Sequence, residues 1–347
     1  MQFTDTVKTI TREVIVPKVY DTILKGNVGL LRLLGNAKPW RSGFRYDVPV
    51  KYQRSNVGGL VGIGGTLDTT RTNVRVKMQF DPKRRHKPVV IDDVEAQLNK
   101  GEEQVLELLA TEMDSVAQDL LDQAGDDLMS GTGAGEAFDS LLNASDDATN
   151  FGTYGSLSRT TYASLNGYLA TSVGTLALSD LSTAHNAVKI GLEKPTVALA
   201  DVTSWTAYEG LLTPVVRAGY EANGFPQVTR TGDLPSRKAL GGEIGFDALY
   251  YRGTPVVEDE KVTSGYLFFL HEKYFMFAGI DIDDYEKVNI SSETHDGPQA
   301  APIPRGFNWS GLLRSVNQPA EVGHLYIIGN YIAHDPRRNG VLQGITG

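Results

Sequence analysis

The stretch 102–129 carries the longest periodic pattern in the chain, and it limits the possible folds more than any other feature. Its apolar residues recur every three or four positions, as in an amphipathic helix, and the opposite positions are acidic. The apolar positions include Val105, Leu108, Leu109, Met113, Val116, Leu120, Leu121, Ala124 and Leu128. Gly101 precedes this stretch and the glycine-rich run 131–135 ends it. At ~1.5 Å per residue such a helix spans roughly 40 Å, so we expect it to serve as a strut on which other parts are mounted.

Composition excludes several classes of protein. The chain has 347 residues, no cysteine and a formal charge of −9, so it offers no thiol nucleophile, thiolate metal site or disulfide. The acidic balance argues against a surface that grips nucleic acid throughout. No apolar run reaches the ~18–20 residues of a membrane span, and the N-terminus lacks the pattern of a signal peptide. The absence of cysteine suits a reducing cytoplasm.

Residues 1–38 contain short apolar runs that Pro17 and glycines at 26 and 29 interrupt. This pattern indicates two short helical pieces or an extended arm. A helix packed on the protein's own core is the remaining alternative.

Alternating residues predict a long β-hairpin between Phe44 and Phe80. Tyr46–Tyr52 and Val74–Phe80 each alternate apolar with polar residues, so they predict two half-buried strands, each ~30 Å long at ~3.3 Å per residue. The tip between them is rich in glycine over 58–65 and in threonine up to Thr72. It matches neither phosphate-binding glycine pattern. Since a lone two-stranded ribbon is marginally stable in water, we expect its apolar stripe to be covered by this subunit or by another.

A basic run, Lys83–Lys87, follows the hairpin. Three interpretations stay open: a solvated face, docking onto acidic neighbours such as the wet face of the long helix, and a nucleic-acid patch. No aromatic residue interleaves the run, which disfavours the third. We take Lys83, Arg84, Arg85 and Lys87 as candidate intersubunit contacts.

The remaining chain mixes helices with strands. A short strand is expected at Pro88–Ile91, a loop over 131–157, helices at Thr160–Thr171 and Asp180–Leu192, and a buried strand at Thr196–Ala200. Residues 217–247 indicate a long loop, and aromatic and β-branched residues predict strands within 249–259, 265–277 and 323–333. The expected fold class is α+β with mostly antiparallel pairing.

No constellation for catalysis is visible in the sequence. The nucleophile-elbow, zinc-protease and Walker motifs do not occur, and the six histidines lack ligand spacing. Asp281-Ile-Asp-Asp is the best acidic cluster, but it does not match a calcium loop, and a polar turn is the preferred interpretation. We therefore expect no catalytic residues, no cofactor and no metal, and a protein that is not an enzyme.

The order of arm, hairpin, long helix and α+β body resembles that of the major capsid proteins of tailed bacteriophages, the HK97-like fold. The residues that carry the resemblance are Tyr251–Asp259 followed by Tyr266–Leu270, Thr196–Ala200 followed by Trp205–Leu212, and the ending Asp335–Leu342. The resemblance covers nearly the whole chain, and the order of its parts is more specific than any single motif.

The resemblance implies a division of the chain. It comprises an N-terminal arm (1–40), an extended β-hairpin loop (41–90), a peripheral domain with the spine helix 102–129 (91–175), an axial domain (176–260), and a return to the peripheral domain with C-terminal strands (261–347). It also implies pentamers and hexamers of an icosahedral shell enclosing double-stranded DNA, assembled in the host cytoplasm and ending as the virion capsid. The resemblance also implies either a separate scaffolding protein or the prior removal of a leader segment. A portal protein is a further implied partner. Some family members crosslink a lysine of the extended loop. Lys51 and Lys77 are available here, and no signature in the sequence decides whether the chains are crosslinked.

Two alternatives remain. An encapsulin-type shell shares the fold and encloses cargo proteins, and a soluble enzyme could assemble a dispersed site from Asp281, Asp283 and His271.

Overall fold

The computed structural model describes residues 27–40, 43–94, 108–212, 248–282, 306–314 and 319–346. Most strand pairs in this part of the chain are antiparallel, and helices and sheets alternate along it, as the sequence predicts for an α+β protein. No helix in these ranges is long and apolar enough to cross a membrane. The predicted loop 217–247 and the arm residues 1–26 lie outside the described residues.

The helices and strands follow one another with these bounds. The helices are α1 (Val28–Gly35), α2 (Leu108–Ser130), α3 (Leu141–Ser145), α4 (Leu178–Val188) and α5 (Val202–Leu211). The strands up to residue 200 are β1 (Lys38–Pro39), β2 (Tyr46–Lys51), β3 (Arg75–Phe80), β4 (Lys83–Asp92), β5 (Thr153–Tyr154), β6 (Leu157–Ser158), β7 (Tyr168–Ala170), β8 (Gly174–Thr175) and β9 (Val197–Ala200). The later strands are β10 (Ala248–Tyr251), β11 (Thr254–Glu258), β12 (Leu267–Leu270), β13 (Phe275–Gly279), β14 (Phe307–Trp309), β15 (Leu313–Arg314), β16 (Ala320–Ala333), β17 (Gly340–Leu342) and β18 (Ile345–Thr346).

The spine helix α2 forms because its apolar stripe has a core to face. Leu120, Ala124 and Leu128 are buried at helical spacing, and the Tyr331 hydroxyl of β16 donates to the Ala124 carbonyl at 3.0 Å. Lys261 approaches the opposite flank and pairs with Asp122 and Asp126. The predicted long helix is confirmed over 108–129, and its first predicted turns, 102–107, lie outside the described residues.

The fourteen-residue strand β16 organises one sheet, called here the long-strand sheet. β4 pairs antiparallel with β16 over 83–92, while β13, β14 and β15 pair with β16 and β1 adds to β13. From Gly329 onward every residue of β16 is buried. One face of this sheet packs on the spine helix, so the sheet and the helix form two packed layers.

A second sheet, called here the mixed sheet, has the order β10-β11-β9-β12-β17-β7. β9 is buried throughout, and its residues alternate between two cores. Val197 and Leu199 belong to the core that contains the spine helix, whereas Ala198 and Ala200 face the core under α4 and α5. The mixed sheet is therefore covered on both faces, which explains why its strands are continuous apolar runs.

Helix α1 packs on the protein's own core. For the described part of residues 1–38 this agrees with the third alternative, a helix packed on the subunit itself. Val28, Leu30 and Leu33 are buried, and the N–H of Gly29 donates to the Asp259 carboxylate at 2.7 Å. Asp259 therefore caps this helix from 230 residues away. A Cβ on Gly29 would lie 2.8 Å from Leu199 Cδ1, so any other residue would require the buried Leu199 side chain to shift.

We expect Asp259→Ala to lower the free energy of unfolding by about 1–3 kcal/mol, because it leaves a buried backbone donor without its partner. Urea unfolding of the purified chain measures this. The matched control is Glu258→Ala, a neighbouring half-buried carboxylate, which should cost much less. Equal losses in the two variants would contradict the capping role.

Three local expectations were wrong. The predicted helix Thr160–Thr171 is instead a 3-10 turn (Ala163–Leu165) followed by β7, because parallel pairing with β17 overrides the local pattern. The predicted loop 131–157 contains α3 and the β5–β6 hairpin. The hairpin strands have six residues, roughly 20 Å each, and not ~30 Å. The predicted short strand 88–91 is confirmed, and it is part of the ten-residue β4.

The region 131–157 is ordered because its polar groups are satisfied internally. The Asp146 carboxylate accepts from the N–H groups of Ala148, Asn150 and Phe151, and Ser140 caps α3 by accepting from Asn143. The many Gly, Ser, Asn and Asp residues indicated a loop here. Hydrogen bonds to buried carboxylates instead hold the segment in a compact structure that packs against the hairpin.

Candidate intersubunit site

The basic run is part of strand β4, and two of its residues, Arg85 and Lys87, dock onto the protein's own spine helix. Arg85 forms a bidentate pair with Asp127, with Nε–Oδ2 at 2.6 Å and Nη2–Oδ1 at 2.5 Å. Lys87 donates to Asp119 at 2.7 Å, and Lys83 donates to the Gly135 carbonyl. Asp119 and Asp127 lie eight residues apart on the helix, ~12 Å, whereas Arg85 and Lys87 lie ~6.6 Å apart along the strand, so the two long basic side chains diverge to reach them. The interpretation as docking onto the acidic face of the long helix is confirmed for Arg85 and Lys87.

Arg84 lies on the other face of the long-strand sheet and is the exposed member of the four candidates. Its guanidinium lies over the Tyr326 ring at 5.5 Å, and the rings of His86 and His324 lie 5.7 Å apart beside it. Within the described residues Arg84 forms no ion pair with a carboxylate. That Lys83, Arg84, Arg85 and Lys87 contact other subunits stays a prediction, and the geometry makes Arg84 the residue best placed for it.

Separate substitutions distinguish the two roles. We expect Arg85→Glu to destabilise the subunit by roughly 2–4 kcal/mol, because it leaves the partly buried Asp127 facing a second carboxylate. Arg84→Glu should leave the unfolding midpoint unchanged and reduce assembly. Chemical denaturation and particle yield, measured on both variants, check this. Equal effects of the two changes on subunit stability would show that the faces do not differ.

The base of the extended hairpin is anchored in the subunit's own core. Met78 and Phe80 of β3 are 1% and 2% exposed, and the Phe80 ring packs edge-on against Tyr154 at 5.3 Å. The N–H of Gln79 donates to the Gly155 carbonyl at 2.9 Å. The β5–β6 hairpin thus supplies the cover that a two-stranded ribbon lacks on its own. The predicted hairpin is confirmed by the antiparallel register from Tyr46–Phe80 to Lys51–Arg75.

The tip of the same hairpin has no such cover. Residues 53–73 are exposed except for the half-buried Val57, and their backbone forms no regular ladder. Leu60 and Ile63 are fully exposed, and Leu67 is 73% exposed. Exposed apolar residues grouped on one projection indicate a protein interface. Of the two expected sources of cover for the apolar stripe, the structure shows this subunit at Met78 and Phe80.

Three further apolar residues are exposed next to elements of the mixed sheet and its covering helices. Leu192, in the turn before β9, is 99% exposed, and Val202 and Leu178, near the starts of α5 and α4, are 53% and 48% exposed. These positions fall within the predicted axial domain, so that domain also presents apolar residues outward.

Asp281 and His271, two of the three residues of the suggested dispersed enzyme site, make structural contacts. Asp281 accepts from the Gly306 N–H at 2.8 Å, and His271 is buried against the Tyr274 ring at 4.9 Å. Burial lowers the pKa of His271. Asp283 lies outside the described residues. Among the residues that the structure describes, no three acidic or histidine side chains are grouped as metal ligands would be.

Comparison with solved structures reveals the same fold in capsid shells. The capsid chain of cyanophage A-1(L) superimposes with a TM-score of 0.71 at 15% identity, over 100% of both chains. The capsid of the native GTA particle gives a TM-score of 0.61 at 10% identity, over 99% of this chain and 98% of that one. The holo-SrpI encapsulin of Synechococcus elongatus gives 0.58 at 12% identity, over 100% and 96%.

Sequence comparison alone does not reach these relatives. No protein-family model matches the chain, and no curated protein matches it significantly. The likeness is therefore one of architecture: a hairpin projection, a spine helix on a long-strand sheet, and a mixed sheet under two helices. The chain has the HK97-like fold of tailed-bacteriophage capsid proteins.

Proposed function

We propose that this chain is a major capsid protein, which assembles into pentamers and hexamers of an icosahedral shell around phage double-stranded DNA. The observation that carries the proposal is the hairpin whose base is buried in its own subunit while its apolar tip is not. A projection of this kind gains little as a monomer, because Leu60 and Ile63 stay in water. On a neighbouring subunit the same residues are removed from water.

The fold comparison supports the proposal both by the similarity of the fold and by the share of the chain that it covers. The whole chain aligns with whole capsid chains, so the likeness is not confined to one part of the chain. We assign the arm, extended loop, peripheral and axial domains the bounds expected from the sequence. Candidate contacts between subunits are Lys83, Arg84, Arg85 and Lys87 and the tip residues Leu60, Ile63 and Leu67.

The same proposal includes the partners and the place of action. We expect a structural role without catalysis, a separate scaffolding protein and a portal, assembly in the host cytoplasm, and a final place in the virion capsid. The formal charge of −9 fits a wall that encloses DNA without sequence-specific binding, since a packaged genome must be released.

An encapsulin-type shell is the second candidate, and the similarity to SrpI encapsulin favours keeping it. The two differ in contents, because an encapsulin-type shell would hold cargo proteins. Purified particles with packaged DNA and attached tails would exclude the encapsulin hypothesis, whereas particles with a co-purifying enzyme would favour it.

Electron microscopy of the expressed chain, with and without a candidate scaffolding protein, tests the function. We expect closed shells of regular size with five-fold and six-fold units. A chain that stays monomeric under all of these conditions, at concentrations where capsid proteins assemble, would contradict the proposal.

A further inference from the structure

Strand β4 forms an edge of the long-strand sheet. Within the described residues it pairs with β16 on one side and with no strand on the other. The Asp93 N–H donates to the Pro319 carbonyl at 3.1 Å, which continues the ladder by one pair. Antiparallel ladders alternate, so the odd-numbered residues of β4 face β16. The even-numbered residues direct their backbone groups outward, and they are Arg84, His86, Pro88, Val90 and Asp92.

Pro88 is consistent with this assignment. Proline lacks an N–H and is tolerated within a sheet where that group would point away from the neighbouring strand. It stands at an outward position, so β4 loses no bond to β16. An edge of ten residues is long, and unpaired edges of this kind accept another strand unless they are blocked.

The charges along this edge are arranged from basic to acidic. Lys83, Arg84 and Arg85 stand at its start and Asp92 at its end, with Pro88 midway. A second copy added in parallel and in register would place Arg84 beside Arg84, which is unfavourable. An antiparallel copy centred on Pro88 places Arg84 opposite Asp92 of the second copy, and it does so twice because the pairing is symmetric.

The register follows from the same positions. With Pro88 opposite Pro88 of the second copy, His86 lies opposite Val90, and each of these residues keeps both of its ladder bonds. A shift of two residues in either direction separates Arg84 from Asp92, and the shift that centres the pairing on residue 89 also shortens the overlap. It recovers no bond, since Pro88 still lacks its donor. The centred register is therefore the most favourable one.

We propose that β4 pairs antiparallel with β4 of a second copy across a two-fold axis at Pro88, joining two long-strand sheets into one. The proposal rests on the proposed shell function, because it supplies a two-fold contact between neighbouring capsomers. A two-fold contact uses the same patch on both partners, and the basic-to-acidic order of β4 makes this patch complementary to itself.

A cysteine crosslink tests the contact, because the natural chain has no cysteine. In the proposed pairing the two residues 88 face each other at a Cα separation of ~5.5 Å, within the range of a disulfide. Mild oxidation of assembled Pro88→Cys shells should convert most of the chain into a dimer on a non-reducing gel. Mixed shells of Arg84→Cys and Asp92→Cys chains should also crosslink.

Two single variants serve as matched controls on the same edge. The residues 84 of the two copies would lie ~26 Å apart and the residues 90 ~13 Å apart, so neither Arg84→Cys nor Val90→Cys should form a dimer alone. If Pro88→Cys does not assemble, Val90→Pro is the second test. It removes one outward N–H and spares β16, so it should prevent assembly while Val90→Ala does not.

The outcomes separate this contact from the shell function. Shells of the Pro88→Cys chain that do not crosslink, or variants at positions 84 and 90 that crosslink equally well, overturn the β4 contact and leave the shell function standing. Normal assembly of Val90→Pro also overturns it. A parent chain that forms no shells overturns both.

Discussion

Replacing Leu60, Ile63 and Leu67 together by serine is expected to abolish shell assembly and to leave the stability of the subunit unchanged. These side chains lie in water in the single subunit, so their removal costs the folded subunit almost nothing. On a neighbour each buried large apolar side chain contributes about 1.5–3 kcal/mol, and this contribution recurs at every copy. Particle yield by sedimentation and the unfolding midpoint of the unassembled chain measure the two effects.

The matched control changes polar residues of the same loop. Thr66→Ser, Thr69→Ser and Thr72→Ser alter the same number of exposed positions without removing a large apolar side chain. The control should assemble like the parent. Assembly by the leucine and isoleucine variant at the parental yield would show that the tip does not dock.

Phe80→Ala is expected to have the largest effect on the subunit itself, with a loss of about 3–5 kcal/mol in the free energy of unfolding. Phe80 is 2% exposed and packs against Tyr154, so truncation leaves a cavity between the hairpin base and the β5–β6 hairpin. Urea unfolding of the unassembled chain measures the loss.

Val76→Ala is the control for this second experiment. Val76 lies in the same strand but is only half-buried, and its truncation should cost under about 1 kcal/mol. If both changes lower the free energy of unfolding by the same small amount, the hairpin base is not anchored in the core. The distinction between a buried base and an exposed tip would then be contradicted.

The sequence predicts those parts of the fold whose signal lies within one element. The helical period over 108–129 and the alternation of Tyr46–Lys51 and Arg75–Phe80 each repeat often enough to identify the element without its partners. The order of arm, hairpin, long helix and body then indicates the architecture.

The parts that sequence could not predict depend on contacts between distant residues. Lys83–Lys87 has the charge of a solvated loop, and it becomes a strand because it pairs with β16, while Arg85 and Lys87 meet carboxylates of the spine helix. Tyr168–Ala170 has no strong strand pattern and pairs with Gly340–Leu342 across the length of the chain. Tertiary pairing of this kind overrides local preference.

The candidate site could be predicted only in part, because some of its features also depend on contacts between distant residues. The glycine-rich tip is visible in the sequence, and so is the need of the ribbon for cover. The roles of the four basic residues differ because successive strand residues point to opposite faces, so Arg85 meets Asp127 while Arg84 faces outward. A charge run does not reveal this division until the strand is recognised.

Amide hydrogen exchange tests the central claim most directly, on one preparation before and after assembly. We expect residues 53–73 to exchange rapidly in the unassembled chain and to become protected in shells, while the strands Tyr46–Lys51 and Arg75–Phe80 are protected in both states. Protection of 53–73 in the unassembled chain, or rapid exchange of this segment within closed shells, would contradict the claim that this projection is covered by neighbouring copies.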